Sequence, residues 1–129
     1  MGDGQTTLQQ LKEKMADFVR ERDWEQFHTP KNLSMSIAIE AAELMEHFQW
    51  LTVEASKNLT AEALADIGEE LADIVIYSLS LANSLQLDLA DTVLAKMAKN
   101  IRKYPADQVR GKSHKYTHYQ KQVAEDPEA

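Results

Sequence analysis

Ser36-Ile-Ala-Ile-Glu-Ala-Ala-Glu-Leu-Met-Glu-His-Phe-Gln-Trp50, read with Asp66-Ile-Gly-Glu-Glu-Leu-Ala-Asp-Ile-Val-Ile-Tyr77, decides the fold class. Residues three or four apart stack on one side of a helix. In the first stretch Glu40, Glu43, His47 and Trp50 advance by such steps, and Ala41, Leu44, Phe48 and Leu51 form an apolar stripe beside them. In the second, Asp66, Glu70, Asp73 and Tyr77 run next to the apolar series Leu64, Ile67, Leu71, Ile74, Leu81 and Leu85. Both stretches therefore read as amphipathic helices with carboxylates at the rim of a buried face.

Carboxylates bordering a core repel one another. Two unit charges about 5 Å apart cost about 3 kcal/mol at an effective dielectric near 20, and a cation converts that cost into a binding site. The pairs Glu40-x-x-Glu43 and Glu70-x-x-Asp73 offer only oxygen, which favours Mg²⁺, with Mn²⁺ as the alternative, over zinc or copper. The competing reading is a solvated charge stripe, since glutamate is common on exposed helix faces. The location of both pairs within the most apolar stretches argues against it.

The periodicity is helical elsewhere too. Leu8, Leu11, Met15 and Phe18 mark a first helix from about Thr7 to Trp24, closed by the loop Phe27-His-Thr-Pro-Lys-Asn32, where Pro30 disfavours helical angles in the residue before it. A second helix is expected from about Lys31 to Val53. A third follows caps near Asn58 and Thr60 and runs to about Leu87. Asp88 caps a fourth, which carries Val93, Met97 and Ile101 inward and stops at Tyr104-Pro105. The expectation is an all-α, four-helix bundle-type protomer over residues 1–105, with an extended or disordered tail over 106–129. The third helix is apolar on more than one side, so a helical homo-oligomer is expected to cover it. Loop 54 to 60, if it returns the chain antiparallel, sets the two acidic pairs facing each other.

Composition narrows the function. With 129 residues the chain is one domain, and with no cysteine it has neither disulfides nor thiolate metal sites. The net charge of −7 argues against a nucleic-acid polymer as partner. No apolar run reaches membrane-spanning length and no signal-peptide stretch opens the chain, so the expectation is a cytoplasmic protein without a membrane partner. Charge is unevenly distributed: nine acids stand against one lysine between Ile37 and Asp73, and eight basic residues against one acid between Lys96 and Lys121. A polyphosphate carrying a divalent cation satisfies both halves. Lys96, Lys99, Asn100 and Lys103 share a helix face suited to phosphate, although a helix C-terminus attracts cations in any case. Among the rings, Trp24, Trp50, His28 and Tyr77 are candidates for enclosing a base; core packing is the alternative except for Trp50, which shares the stripe of Glu40 and Glu43, and for His28, as for His47, the alternative is a hydrogen-bonded structural histidine.

Further phrases carry a resemblance: Glu21-Arg-Asp-Trp-Glu-Gln-Phe-His28, Pro30-Lys-Asn-Leu33, Phe48-Gln-Trp50, Glu69-Glu-Leu-Ala-Asp-Ile-Val-Ile-Tyr77, Arg102-Lys-Tyr-Pro-Ala106 and Lys115-Tyr-Thr117. With the two acidic pairs, they resemble the MazG-like all-α nucleoside triphosphate pyrophosphohydrolases, in the dCTP pyrophosphatase branch, over roughly residues 8 to 117. The resemblance implies conversion of a nucleoside triphosphate, dCTP or a related dNTP, to the monophosphate and pyrophosphate, with Mg²⁺ held by Glu40, Glu43, Glu70 and Asp73. It implies a dimer or a dimer-of-dimers tetramer with the active site assembled from more than one protomer. Trp24, Trp50 and Tyr77 fall where this branch encloses the base, and Lys96, Asn100, Lys103 and Tyr104 where it holds phosphate and sugar. The mechanism expected is attack of a metal-activated water on the α-phosphorus, with Glu43 taking the proton. Ala41-Ala42 departs from the more glycine-containing phrase of relatives and leaves the preferred base open. Two other readings compete. A di-iron carboxylate bundle wants Glu-x-x-His pairs, which the spacing here does not supply. A non-catalytic helical interaction module would use the acids only as surface charge.

Overall fold

The computed structural model describes residues 2–113, and every regular element among them is a helix. These are α1 (Leu8–Glu21), α2 (Pro30–Glu46), α3 (Val53–Ser56), α4 (Ala61–Ser84), α5 (Leu89–Lys103) and α6 (Ala106–Val109). None of them is long and apolar enough to cross a membrane. The chain divides between Leu89 and Ala90 into two compact units, α1 to α4 in the first and α5 with α6 in the second.

Threonines start the helices of the first unit. Thr7, Thr29, Thr52 and Thr60 each hold extended backbone angles and accept a hydrogen bond from the amide three residues on, satisfying one of the unpaired donors of a first turn. Thr7 completes a capping box, its own N–H donating to Gln10 Oε1 at 2.7 Å. Pro30 follows Thr29 at the first helical position, where its missing N–H costs nothing.

Two helices close in the same way. Asp23 (φ 52°) and Gln86 (φ 54°) take left-handed angles. Trp24 N–H then reaches back to Val19 O at 3.0 Å, and Leu87 N–H to Ala82 O at 2.9 Å, which is the Schellman closure. It ends α1 at Glu21, three residues before the expected Trp24, and α4 at Ser84, before the expected Leu87. The helix expected to reach Val53 stops at Glu46. His47 to Trp50 form turns, and Thr52 caps the separate short helix α3. Trp50 is thereby removed from the stripe of Glu40 and Glu43. The loop expected over 54–60 opens with α3, and the chain expected to be extended after Pro105 begins with α6. Lys115–Thr117 and the tail to Ala129 lie outside the described residues.

In the first unit α4 is central, paired most extensively with α2 and then with α1. His28, just before α2, meets Ser80, whereas His47, just after it, meets Glu70. Hence α2 and α4 run antiparallel. Val19, Leu33, Leu79 and Ala82 are the buried apolar residues, and α1 is pinned where Asn83 Nδ2 donates to Lys12 O and Lys12 Nζ donates to Leu87 O.

The rotation of the helices overturns one expectation. On α4 the half-buried residues include Ile67, Glu70, Asp73, Ile74, Tyr77 and Leu81; on α2 they are Ser36, Ile37, Glu40, Glu43 and Leu44, following buried Leu33, with His47 just beyond the helix. Glu40, Glu43 and Glu70 therefore lie in the seam between α2 and α4 among half-buried apolar neighbours, whereas Asp66 is exposed. Leu64, Leu71 and Leu85 of the expected core series are exposed, as are Ala41 and Leu51 beside the first acidic pair. Met35 and Ile39 on α2 and Val75 on α4 are also exposed, and so is the α5 stripe Val93, Met97, Ile101 that was expected inward. Apolar side chains on the outer faces with carboxylates in the seam invert the usual arrangement of a monomeric bundle.

Candidate functional site: a carboxylate cluster in the helix seam

Glu40 and Glu43 project from successive turns of α2, and Glu70 from the facing turn of α4. One carboxylate oxygen from each of the three lies within 4.8 Å of the others. Glu40 Oε2 and Glu70 Oε2 are buried with no hydrogen-bond partner among the described residues. Buried carboxylate oxygens are ordinarily satisfied, so two orphans in one cluster mark a place that requires a positively charged or hydrogen-donating occupant. His47 Nε2 approaches Glu70 Oε1 at 3.7 Å and limits the cluster at the C-terminal end of α2.

The electrostatics agree with the geometry. Glu40 is pushed up to about 7, first by burial, then by its hydrogen bond with Glu43 and by the charges of Glu43, Asp73 and Glu70. Glu70 is also raised, chiefly by burial and by the charge and hydrogen bond of Glu43, while His47 opposes the rise. Glu43 thus interacts with both neighbours and is the hub. Asp73, the fourth expected ligand, is half-buried and acts on Glu40 through its charge, but it does not join the three whose oxygens converge. The donors are all oxygen, and two of them lack partners. Such a set fits a hard divalent cation.

Next to the seam stands a chain of rings. Trp24, placed by the Schellman closure of α1, meets Phe18 edge-on at 5.8 Å and stacks on His28 at 6.3 Å; His28 in turn stacks on Tyr77 at 6.4 Å. Three of the four rings expected around a base are therefore in one series. Trp50 is not in it, and at 88% exposure it packs against almost nothing in the single chain. Lys96, Asn100 and Lys103 lie on α5, and Tyr104 directly after it, all in the second unit. His47, a neighbour of the acids on their stripe, meets Glu70, and Ser80, bonded to His28, carries no signal in the sequence because it is one of three serines near the end of α4.

A model of the MazG-like family matches residues 35–118, a span that contains all four acids. The chain belongs to the MazG-like family. Within reach of this MazG-like chain, dCTP pyrophosphatase 1 of Homo sapiens is 42% identical over 113 residues, covering 86% of this chain and 66% of that protein. The Mus musculus protein of the same name is 40% identical over 113 residues with the same coverage, 86% and 66%. The chain thus spans about two thirds of the length of these curated relatives. The crystal structure of a pyrophosphatase from Archaeoglobus fulgidus DSM 4304 matches with a TM-score of 0.73 at 36% identity, over 81% of this chain and 98% of that one.

Proposed function

We propose that this MazG-like chain is a nucleotide diphosphatase that converts a deoxynucleoside triphosphate, dCTP or a close relative, to the monophosphate and pyrophosphate. The observation that carries the reading is the convergence of Glu40, Glu43 and Glu70 in the α2–α4 seam with two orphaned carboxylate oxygens. The names of the relatives and of the structural neighbour support the same chemistry.

Glu40, Glu43 and Glu70 would hold Mg²⁺, or Mn²⁺ in its place, with Asp73 adding charge from the adjacent turn of α4. When bound, the cation supplies Lewis acidity toward a phosphoryl oxygen and makes water a better nucleophile. The chain does the rest. Water oxygen forms the new bond to the α-phosphorus, its proton passes to Glu43, the bond from the α-phosphorus to the bridging oxygen breaks, and pyrophosphate departs. Glu43 is placed for the proton because its carboxylate stands within 4.8 Å of those of both Glu40 and Glu70. Trp24, Tyr77 and Trp50 enclose the base. Support for Lys96, Asn100, Lys103 and Tyr104 as holders of phosphate and sugar comes from the family resemblance and from their spacing along α5.

The assembly belongs to the same reading. Ile39 on α2 and Leu64 and Leu71 on α4 each expose more than half their surface, which supports a homo-oligomer, a dimer or dimer-of-dimers tetramer, built on these faces. A net charge of −7 and the absence of cysteine support a cytoplasmic setting and a free nucleotide in place of a nucleic-acid polymer. The test is a panel of dNTPs incubated with the purified chain and Mg²⁺, with products identified by phosphorus NMR. Equal amounts of monophosphate and pyrophosphate are expected, with dCTP or a modified cytosine nucleotide preferred. Diphosphate plus inorganic phosphate, or no turnover of any nucleotide, would overturn the reading, the latter in favour of a helical interaction module.

A further inference from the structure

The imidazole of His28 is fixed from three sides. Trp24 and Tyr77 each stack on it, at interplanar angles of 15° and 28°. Its Nδ1 lies 2.9 Å from Ser80 Oγ, a hydrogen bond that spans 52 residues of sequence. A serine inside a helix commonly returns its hydroxyl to the carbonyl four residues back, as Ser78 does to Ile74 O. The hydroxyl of Ser80 is spent on His28. Ser80 is also the buried polar side chain of the described residues, only 5% exposed, and it stands in an otherwise apolar turn between Leu79 and Leu81.

The space around His28 explains why such a bond matters. A cavity of about 260 Å³, lined by Ala16, Val19, Glu25, Asn83 and Ser84 together with His28 and Ser80, opens beside the ring. The terminal torsion of a histidine is broad, so packing alone does not define it. With empty volume on one side, the imidazole has room to turn, and the two rings stacked on it lose their reference.

We propose that Ser80 is a positioning residue for nucleotide recognition: through His28 Nδ1 it sets the plane against which Trp24 and Tyr77 stack. This rests on the reading that Trp24 and Tyr77 enclose the base. His28, expected from sequence to touch the nucleotide, then acts as the spacer between two base-contacting rings. Its Nδ1 is occupied within the protein and is withheld from the substrate.

The test measures kcat and KM of the full chain with Mg²⁺ and dCTP, dTTP and dATP. In Ser80→Ala the expected result is a rise in KM of about 3- to 10-fold, the size of one hydrogen bond, with kcat within about twofold and a narrowed preference among bases; a change in binding alone moves KM and spares kcat. Ser80→Thr keeps the hydroxyl, and the neighbouring cavity has space for its methyl, so KM returns to the wild-type value. His28→Phe keeps the stacking surface without Nδ1; it is expected to match Ser80→Ala, and the combined variant to add nothing further. Trp24→Ala is measured beside them. If Trp24→Ala raises KM while Ser80→Ala does not, the positioning role is overturned and base enclosure stands. If Trp24→Ala also leaves KM unchanged, base enclosure itself falls, and the proposal with it. A parallel loss of kcat and thermal stability in Ser80→Ala that threonine does not restore would mark a general packing role and overturn the proposal as well.

Discussion

Replacing Glu43 with glutamine is expected to make the metal-free protein more stable and inactive at once. The three carboxylates bring one oxygen each within 4.8 Å, and two full charges at that separation repel by about 3 kcal/mol at an effective dielectric near 20. Glu40, raised to about 7, is only partly ionised at neutral pH. That and solvent reaching a half-buried pair leave a repulsion of about 1 kcal/mol. The glutamine amide keeps the size of the side chain and can still hydrogen-bond Glu40. Relief of about 1 kcal/mol corresponds to a rise in Tm of about 3 to 5 °C for a chain of this size. The assay is thermal unfolding followed by circular dichroism after chelator treatment, paired with pyrophosphate release from dCTP. Turnover should fall by at least about 100-fold, as for loss of a proton acceptor. Saturating Mg²⁺ should raise the Tm of the wild type and much less that of Glu43→Gln. A lower Tm for the metal-free variant would show the carboxylate to be stabilising, and retained turnover would remove Glu43 from the chemistry.

The remaining predictions concern pH, an exposed ring and the outer faces. Glu40 titrates near 7 in the folded chain against an ordinary 4.5; between those values the folded metal-free chain binds the extra proton, so stability falls as pH rises through that window. Glu40→Gln should flatten this slope in Tm scans across the same range, and an unchanged slope would contradict the assignment. Trp50→Ala should leave Tm within about 1 °C, because the ring is 88% exposed in the single chain, yet raise KM for dCTP by about tenfold if the ring stacks on the base; a large Tm loss without a KM change would place Trp50 in a subunit contact instead. Gly68 lies within α4 with nothing inside 4 Å of an added Cβ. Gly68→Ala should therefore stabilise the chain by about 1 kcal/mol, and a loss of stability accompanied by dissociation in sedimentation would show a second copy closing on that face.

The sequence made the class of fold legible because its apolar residues repeat at helical spacing, although Thr52, expected inside the second helix, instead caps α3. Thr60 was read as a cap and is one; Pro105 was read as a stop, and α5 ends at Lys103. What was not legible depends on backbone angles and on helix rotation. Left-handed residues are usually glycine, but here Asp23 and Gln86 take that role, so both helix ends were placed too late. The break after Glu46 has neither glycine nor proline to announce it. Spacing identified Glu40, Glu43 and Glu70 as neighbours on their own helices, and their meeting required only that α2 and α4 pack antiparallel. Spacing did not indicate which side of each helix faces inward, because both sides of α2 and α4 carry apolar residues. Glu40, Glu43 and Glu70 lie in the seam, whereas Asp66 of the same expected stripe is exposed. Trp50 shared a stripe with the acids only on a helix that continued past Glu46. Ser80 was invisible because its partner, His28, is 52 positions away.

If Glu40, Glu43 and Glu70 together bind a divalent cation at the seam of α2 and α4, anomalous diffraction from a crystal soaked with Mn²⁺ and a non-hydrolysable dCTP analogue will locate it. An anomalous peak is expected at about 2.1 Å from oxygens of these three side chains, with the phosphate chain of the analogue on its open side. Metal and phosphate found elsewhere, with these three carboxylates separated and hydrated, would contradict that assignment.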